Sequence, residues 1–169
     1  MKKTLRRILV ILLIALIVIQ FFRPEKNVSR QVAAYGISSK YLISPQVHDA
    51  LKVACYDCHS DNSAYPWYWH IQPVAWFMSN HIEDGKRHLN FSIFATYPIG
   101  RQYKILENIS HEVKGGDMPL WSYTLIHRNA ILSDSMNVAI ENWVATCRKQ
   151  IEQSYPADSL VVKHQEERD

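Results

Sequence analysis

The stretch ACYDCHS, residues 54–60, constrains this chain more than any other. Cys55 and Cys58 stand three apart, and His59 follows directly. C-x-x-C-H is the attachment sequence for c-type haem. Each thiol adds across one vinyl group of the porphyrin, and the two-residue gap matches the vinyl spacing along one ring edge. His59 then sits beneath the iron and supplies its proximal nitrogen. In a chain of 169 residues, such a group would form a large part of the apolar core.

Three other uses of these residues compete. A thioredoxin-like dithiol needs a strand leading into the motif, whereas a helical pattern leads into this one. A structural zinc site shows a second paired ligand motif, whereas Cys147 stands alone. Chance pairing is improbable in a chain with only 3 cysteines.

The N-terminus bears on the compartment. Lys2, Lys3, Arg6 and Arg7 precede an unbroken apolar run, Ile8–Ile19, followed by QFFRPEK. A basic region before an apolar run is the grammar of export. No small-residue cleavage pattern follows, which favours an uncleaved membrane anchor over a removed signal peptide. Leu5–Phe22 approaches the length that spans a bilayer. The positive-inside rule puts the basic end in the cytoplasm and the rest outside a bacterial inner membrane, in the periplasm. Haem attachment occurs on that side.

Five of the 19 Lys and Arg residues lie in positions 1–23, with none of the 16 acidic ones. The remainder is nearly neutral, which gives no electrostatic case for nucleic acid. The expected order is an anchor over 1–22, a tether over 23–42, a haem-binding domain over 43–153 and a polar, disordered tail over 154–169. Within the tether, VSRQVAAY could form a short helix. Ser44 and Pro45 predict a helix start, with Val47, Ala50, Leu51 and Ala54 on its apolar face. Val74, Phe77, Met78, His81 and Ile82 predict the buried face of a second helix ending near Gly85. Ile99, Tyr103, Leu106, Ile109 and Val113 mark a third, ended by Gly115–Gly116. Ser133 caps a fourth, with Met136, Ile140, Trp143, Val144 and Cys147 on one face. The fold class is all-α: a small cytochrome c-like bundle of about four helices around a covalent haem, behind the N-terminal anchor helix.

With His59 bound, one axial position remains. Met118 is the first candidate. Gly115 and Gly116 let the chain turn, and Pro119 holds the preceding residue extended, which frees the thioether to reach out. Met78 and Met136 sit on apolar faces and read as core. His70 and His81 are the reserves for a bis-histidine iron. Trp67, Tyr68, Trp69 and Trp76 could wall the porphyrin, and Arg87 or Arg101 could pair with a propionate. Cys147 reads as a buried free thiol.

With these residues in view, the chain resembles the haem-binding domain family, small exported proteins with one CxxCH. The likeness spans roughly residues 45–147. It rests on CYDCHS (55–60), YPWY (65–68), IQP (71–73), HIEDGKRHLNFS (81–92) and GDMPL (116–120), followed by a helix with Trp143. It implies one covalent haem c on Cys55 and Cys58, with iron ligated by His59. Met118 also stands where cytochrome c-like folds keep their methionine. The leading expectation is a membrane-anchored monohaem carrier of single electrons, working with a redox partner protein. One rival is an enzyme or gas or peroxide sensor with an open sixth site, using His81 or Glu83 over the iron. Another is a haem subunit of a larger membrane complex.

Overall fold

The computed structural model describes residues 2–29 and 34–161. Their regular elements are all helices or 3-10 turns, joined by irregular segments, with one isolated antiparallel bridge between Val28 and Asn62. Four helices of ten residues or more follow the leader helix, as the apolar periodicities predict.

The leader helix α1 spans Lys2–Ile19 and buries no residue. Among the described residues, no helix is long and apolar enough to cross a membrane. The expected anchor is therefore not confirmed. Four basic residues fill the start of α1 and leave Ile8–Ile19 as its uninterrupted apolar part. At about 1.5 Å per residue, that part is well under the ~30 Å of a hydrocarbon core.

Helix α2, Pro45–Ala54, begins as predicted. The Ser44 hydroxyl accepts from the Val47 N–H, Pro45 opens the first turn, and Val47, Ala50 and Leu51 are buried. Cys55 is the joint between α2 and the single turn α3, Tyr56–His59. Helix α4, Val74–His88, runs past Gly85 instead of ending there. Its packed face is Ala75, Ser79 and Ile82, whereas Phe77, expected inside, is 53% exposed. Small side chains let α4 approach its neighbours closely, and the larger ones flank a cleft described below.

Helix α5, Ile99–Gly115, carries Ile105, Leu106, Ile109 and Val113 into the core. Gly116 ends it in the left-handed conformation, φ 77°, which glycine adopts at low cost. One turn, α6, spans Trp121–Thr124. Helix α7, Asp134–Ser154, starts at the Ser133 cap and buries Ile140, Trp143, Val144, Cys147 and Ile151.

The core lies between α2, α5 and α7, with Phe91 and Phe94 of the α4–α5 loop inserted into it. Two segments expected outside the domain take part. Ile37 and Tyr41, from the expected tether, are each 2% exposed. Tyr41 donates its hydroxyl to Gln102 Oε1 at 2.9 Å, and Gln102 Nε2 donates to the Tyr97 carbonyl at 2.6 Å. Beyond Ser154 the chain makes a short 3-10 turn, Ala157–Leu160, against α5, and Leu160 packs on the core. Part of the expected VSRQVAAY helix and the end of the tail, 162–169, lie outside the described residues.

The Tyr41–Gln102 pair is buried, so removing one member strands the other. Gln102→Leu is expected to cost about 1–3 kcal/mol in urea unfolding, and adding Tyr41→Phe to recover part of that loss. A double variant no more stable than the single one would contradict this.

Candidate functional site

The turn α3 holds the motif, and the segment 85–91 wraps its histidine. His59 Nδ1 lies 2.9 Å from the Gly85 carbonyl oxygen and 3.1 Å from that of Leu89. Both partners are acceptors, so Nδ1 carries the proton and Nε2 keeps a free lone pair. The His59 carbonyl in turn accepts from the Phe91 N–H at 2.7 Å. Burial lowers the pKa of His59, so the imidazole stays neutral near pH 7. A neutral ring with one nitrogen anchored to a carbonyl is how a metal-binding histidine is oriented.

Close approach makes this possible. A Cβ on Gly85 would meet the Cys58 carbonyl oxygen at 2.8 Å and the Cys58 Cβ at 3.2 Å. Gly85 is therefore where α4 lies against α3. The sequence pattern suggested a helix end there and missed this contact. A glycine inside a continuing helix was the available signal.

Cys55, Cys58 and Cys147 are all free thiols. Burial, with a contribution from Cys58, pushes the Cys55 thiol up to about 12, and burial with Asp57 pushes Cys58 up to about 11. Burial also raises Cys147, to about 12, in the core beside Trp143. Thiols this basic are protonated at neutral pH. A dithiol redox pair wants a lowered pKa, so the environment argues against that use. Among the described residues no cluster of His, Cys, Asp and Glu could hold a metal ion on its own, and Cys147 does not join the motif as a zinc ligand.

Cys58 opens onto an apolar cleft of about 660 Å³, open mouth included. Met78 and His81 line it from α4, Tyr68 from the preceding turn, and Leu120, Tyr123 and His127 from the far side. The α4 stripe expected as core thus faces this cleft. His81 Nδ1 donates to the Phe77 carbonyl at 2.8 Å, which leaves its Nε2 free as well. The far wall is tied to the motif, since Tyr123 donates to Asp57 Oδ2 at 2.7 Å and stacks on His127 with ring centroids 4.2 Å apart. His127 Nε2 lies 2.6 Å from the Tyr68 hydroxyl. Asp57, Tyr123 and His127 did not stand out in the sequence, because their pairing spans some 66 residues.

Other expectations separate here. Met118 is half-buried in the turn after α5, its N–H bonded to the Glu112 carbonyl at 3.2 Å. The cleft lining contains Leu120 but not Met118, His59 or Cys55, which packs on the core. Of the four aromatics expected to wall a porphyrin, only Tyr68 lines the cleft. Trp69 is buried against Tyr65, and Trp67 is exposed. His70 is exposed at the end of a second 3-10 turn, Trp67–His70. Glu83 and Arg87 line a different, polar groove with Lys26 and Lys86, and Arg101 lies over the Tyr97 ring.

A family model described as haem-binding domain matches residues 14–146. The chain belongs to the haem-binding domain family. Haem is therefore its cofactor, as CYDCHS suggested. No curated protein and no solved structure matches the chain. The haem-binding domain match begins inside α1, well before residue 45, where the resemblance was read to start. That agrees with the hydrogen bonds of the expected tether. Asn27 Nδ2 donates to the Ser60 carbonyl at 2.8 Å, and the Ser29 N–H to the Asp61 carbonyl at 2.9 Å, just after the motif. The residues fit haem on the chemistry of the donors: two protonated thiols, an imidazole with Nε2 free, and an apolar cleft at Cys58.

Two outcomes follow. Gly85→Ala must push α4 off α3, at a cost of about 1–3 kcal/mol in chemical unfolding of the apo-protein, with reduced haem loading. The pKa of His59 is lowered on folding, so the unfolded chain binds the extra proton first. Apo-protein stability should therefore be full above 6.5, the ordinary histidine value, and fall as pH drops from there through the lowered folded pKa. His59→Gln should flatten that part of the profile in urea titrations between about pH 7 and pH 5.

Proposed function

We propose that this chain is a membrane-held monohaem c-type cytochrome that passes single electrons on the outer side of a bacterial inner membrane. The observation that carries the reading is His59, whose Nδ1 is bound to the Gly85 and Leu89 carbonyls so that Nε2 is presented as a ligand. Haem supplies the one-electron chemistry when bound. The chain's own part is to attach, ligate and shield it. Cys55 and Cys58 would form the thioethers by adding S–H across the two vinyls, which suits thiols kept protonated. His59 and Met118 would hold its iron. The carbonyl bonds to Nδ1 raise the electron density of the imidazole and fix its orientation. Export and anchoring are read from Lys2–Arg7 and the apolar run of α1, whose basic residues can snorkel toward the interface.

A second reading concerns the distal ligand alone. Met78 and His81 line the cleft beside Cys58 and Met118 does not. A bis-histidine iron through His81 Nε2 therefore stands beside the methionine reading.

The pyridine haemochrome spectrum of denatured protein tests attachment. It should show a c-type haem that survives acid–acetone extraction, and Cys55→Ala with Cys58→Ala should abolish it. Haem retained by the denatured double variant would overturn the thioether assignment. Met118→Ala should turn a low-spin haem high-spin, open it to CO and lower its potential. If Met118→Ala is spectrally silent and His81→Ala has those effects, the distal ligand is His81. If neither does, and Met78→Ala and His70→Ala are also silent, the sixth site is open and the enzyme or sensor reading takes over.

A further inference from the structure

Gln72 lies in the loop before α4 and is 1% exposed. Its N–H donates to Gln20 Oε1 at 2.9 Å, and its carbonyl accepts from Gln20 Nε2 at 3.2 Å. Its side chain donates to the Phe22 carbonyl at 2.7 Å and accepts from the Trp76 N–H at 3.3 Å. These four bonds clasp the end of the α1 segment to the start of α4. A buried amide satisfied on both sides is a fixed joint rather than a flexible linker.

Large apolar side chains stand exposed around that joint. Phe21 is 83% exposed, Phe22 63%, Trp67 75%, Ile71 45% and Trp76 38%. Scattered apolar residues on a surface need no explanation, but four on the segments joined here, with Trp67 on the turn just before, do. Tryptophan concentrates where a membrane meets water, and phenylalanine beside it buries in the acyl boundary. Arg23 and Lys26 follow Phe22 and are exposed, with Glu25 as the acid between them. Cations at this level suit anionic headgroups. The apolar helix that ends at the joint supplies the continuity: whatever takes up α1 must also meet this belt.

We propose that Phe21, Phe22, Trp67, Ile71 and Trp76 form a lipid-facing belt that seats the haem domain on an anionic bilayer. The inference rests on the reading of α1 as the membrane anchor. The domain then sits on the membrane in one orientation, instead of swinging on a tether. Phe77, next to Trp76, lines the cleft beside Cys58, so the cleft rim lies one residue from the belt.

The test uses the full haem-loaded chain in vesicles of phosphatidylethanolamine and phosphatidylglycerol. Nitroxide labels are placed through Ile71→Cys and, as the control, Val138→Cys on α7, which packs on α2 and α5; the unsubstituted chain gives the labelling background. The haem spectrum of each variant verifies folding. The oxygen-to-nickel-chelate collision ratio should be several-fold higher at position 71 than at 138. Equal ratios in a chain that resists alkaline carbonate extraction would overturn the belt and leave the anchor standing. A shielded label at 71 in a chain that carbonate strips off would support the belt and sink the anchor. Equal ratios in a chain that is stripped off would overturn both.

Discussion

The backbone of α4 meets the backbone of α3 at Gly85, and the arrangement of the site depends on that contact. There is no room for a side chain between Gly85 and Cys58. Because the two segments touch, the Gly85 and Leu89 carbonyls reach the Nδ1 of His59. The same approach brings the α4–α5 loop to the His59 carbonyl, so the motif is held from both its side chain and its main chain. Only through this packing is the imidazole beside the two cysteines held in one orientation. Desolvation adds to it, since the same burial that keeps the imidazole neutral keeps the thiols protonated.

A second layer ties the motif to distant parts of the chain. Asp57, between the two cysteines, accepts from Tyr123 on one oxygen and from the Ala64 N–H on the other, at 2.7 and 2.9 Å. Asp61, just after the motif, pairs with Lys86 of α4 at 2.6 Å. Asn27 reaches Ser60 and Ser63 from the segment before the domain. Apart from the Ala64 bond, each of these crosses a long stretch of sequence, so a disturbance of α3 is felt in the leader segment and in the cleft wall alike.

Local chemistry was legible in the sequence, and tertiary choices were not. CYDCHS pointed to haem, which the family bears out, because the thiol spacing and the adjacent imidazole are fixed along the chain. The Ser44 and Ser133 caps and the Gly116 stop could be read because each acts on its own turn. Helix α4 misled because it carries two stripes. Hydropathy favours Val74, Phe77, Met78, His81 and Ile82, while close packing selects Ala75, Ser79 and, from that stripe, Ile82 alone. Ile37 and Tyr41 were read as tether because a short segment gives too few turns to show a period, yet both are buried. The aim of Met118 is set by what packs around its turn, so spacing could not fix its distance from His59.

Presentation of the His59 Nε2 depends on the protonation of the ring, which nitrogen-15 shifts report directly. In long-range proton–nitrogen spectra of apo-protein at pH 7, His59 should show a protonated Nδ1 and a bare Nε2. A protonated Nε2, in either the neutral or the cationic ring, would mean that the ligand nitrogen is not presented, and would contradict the account.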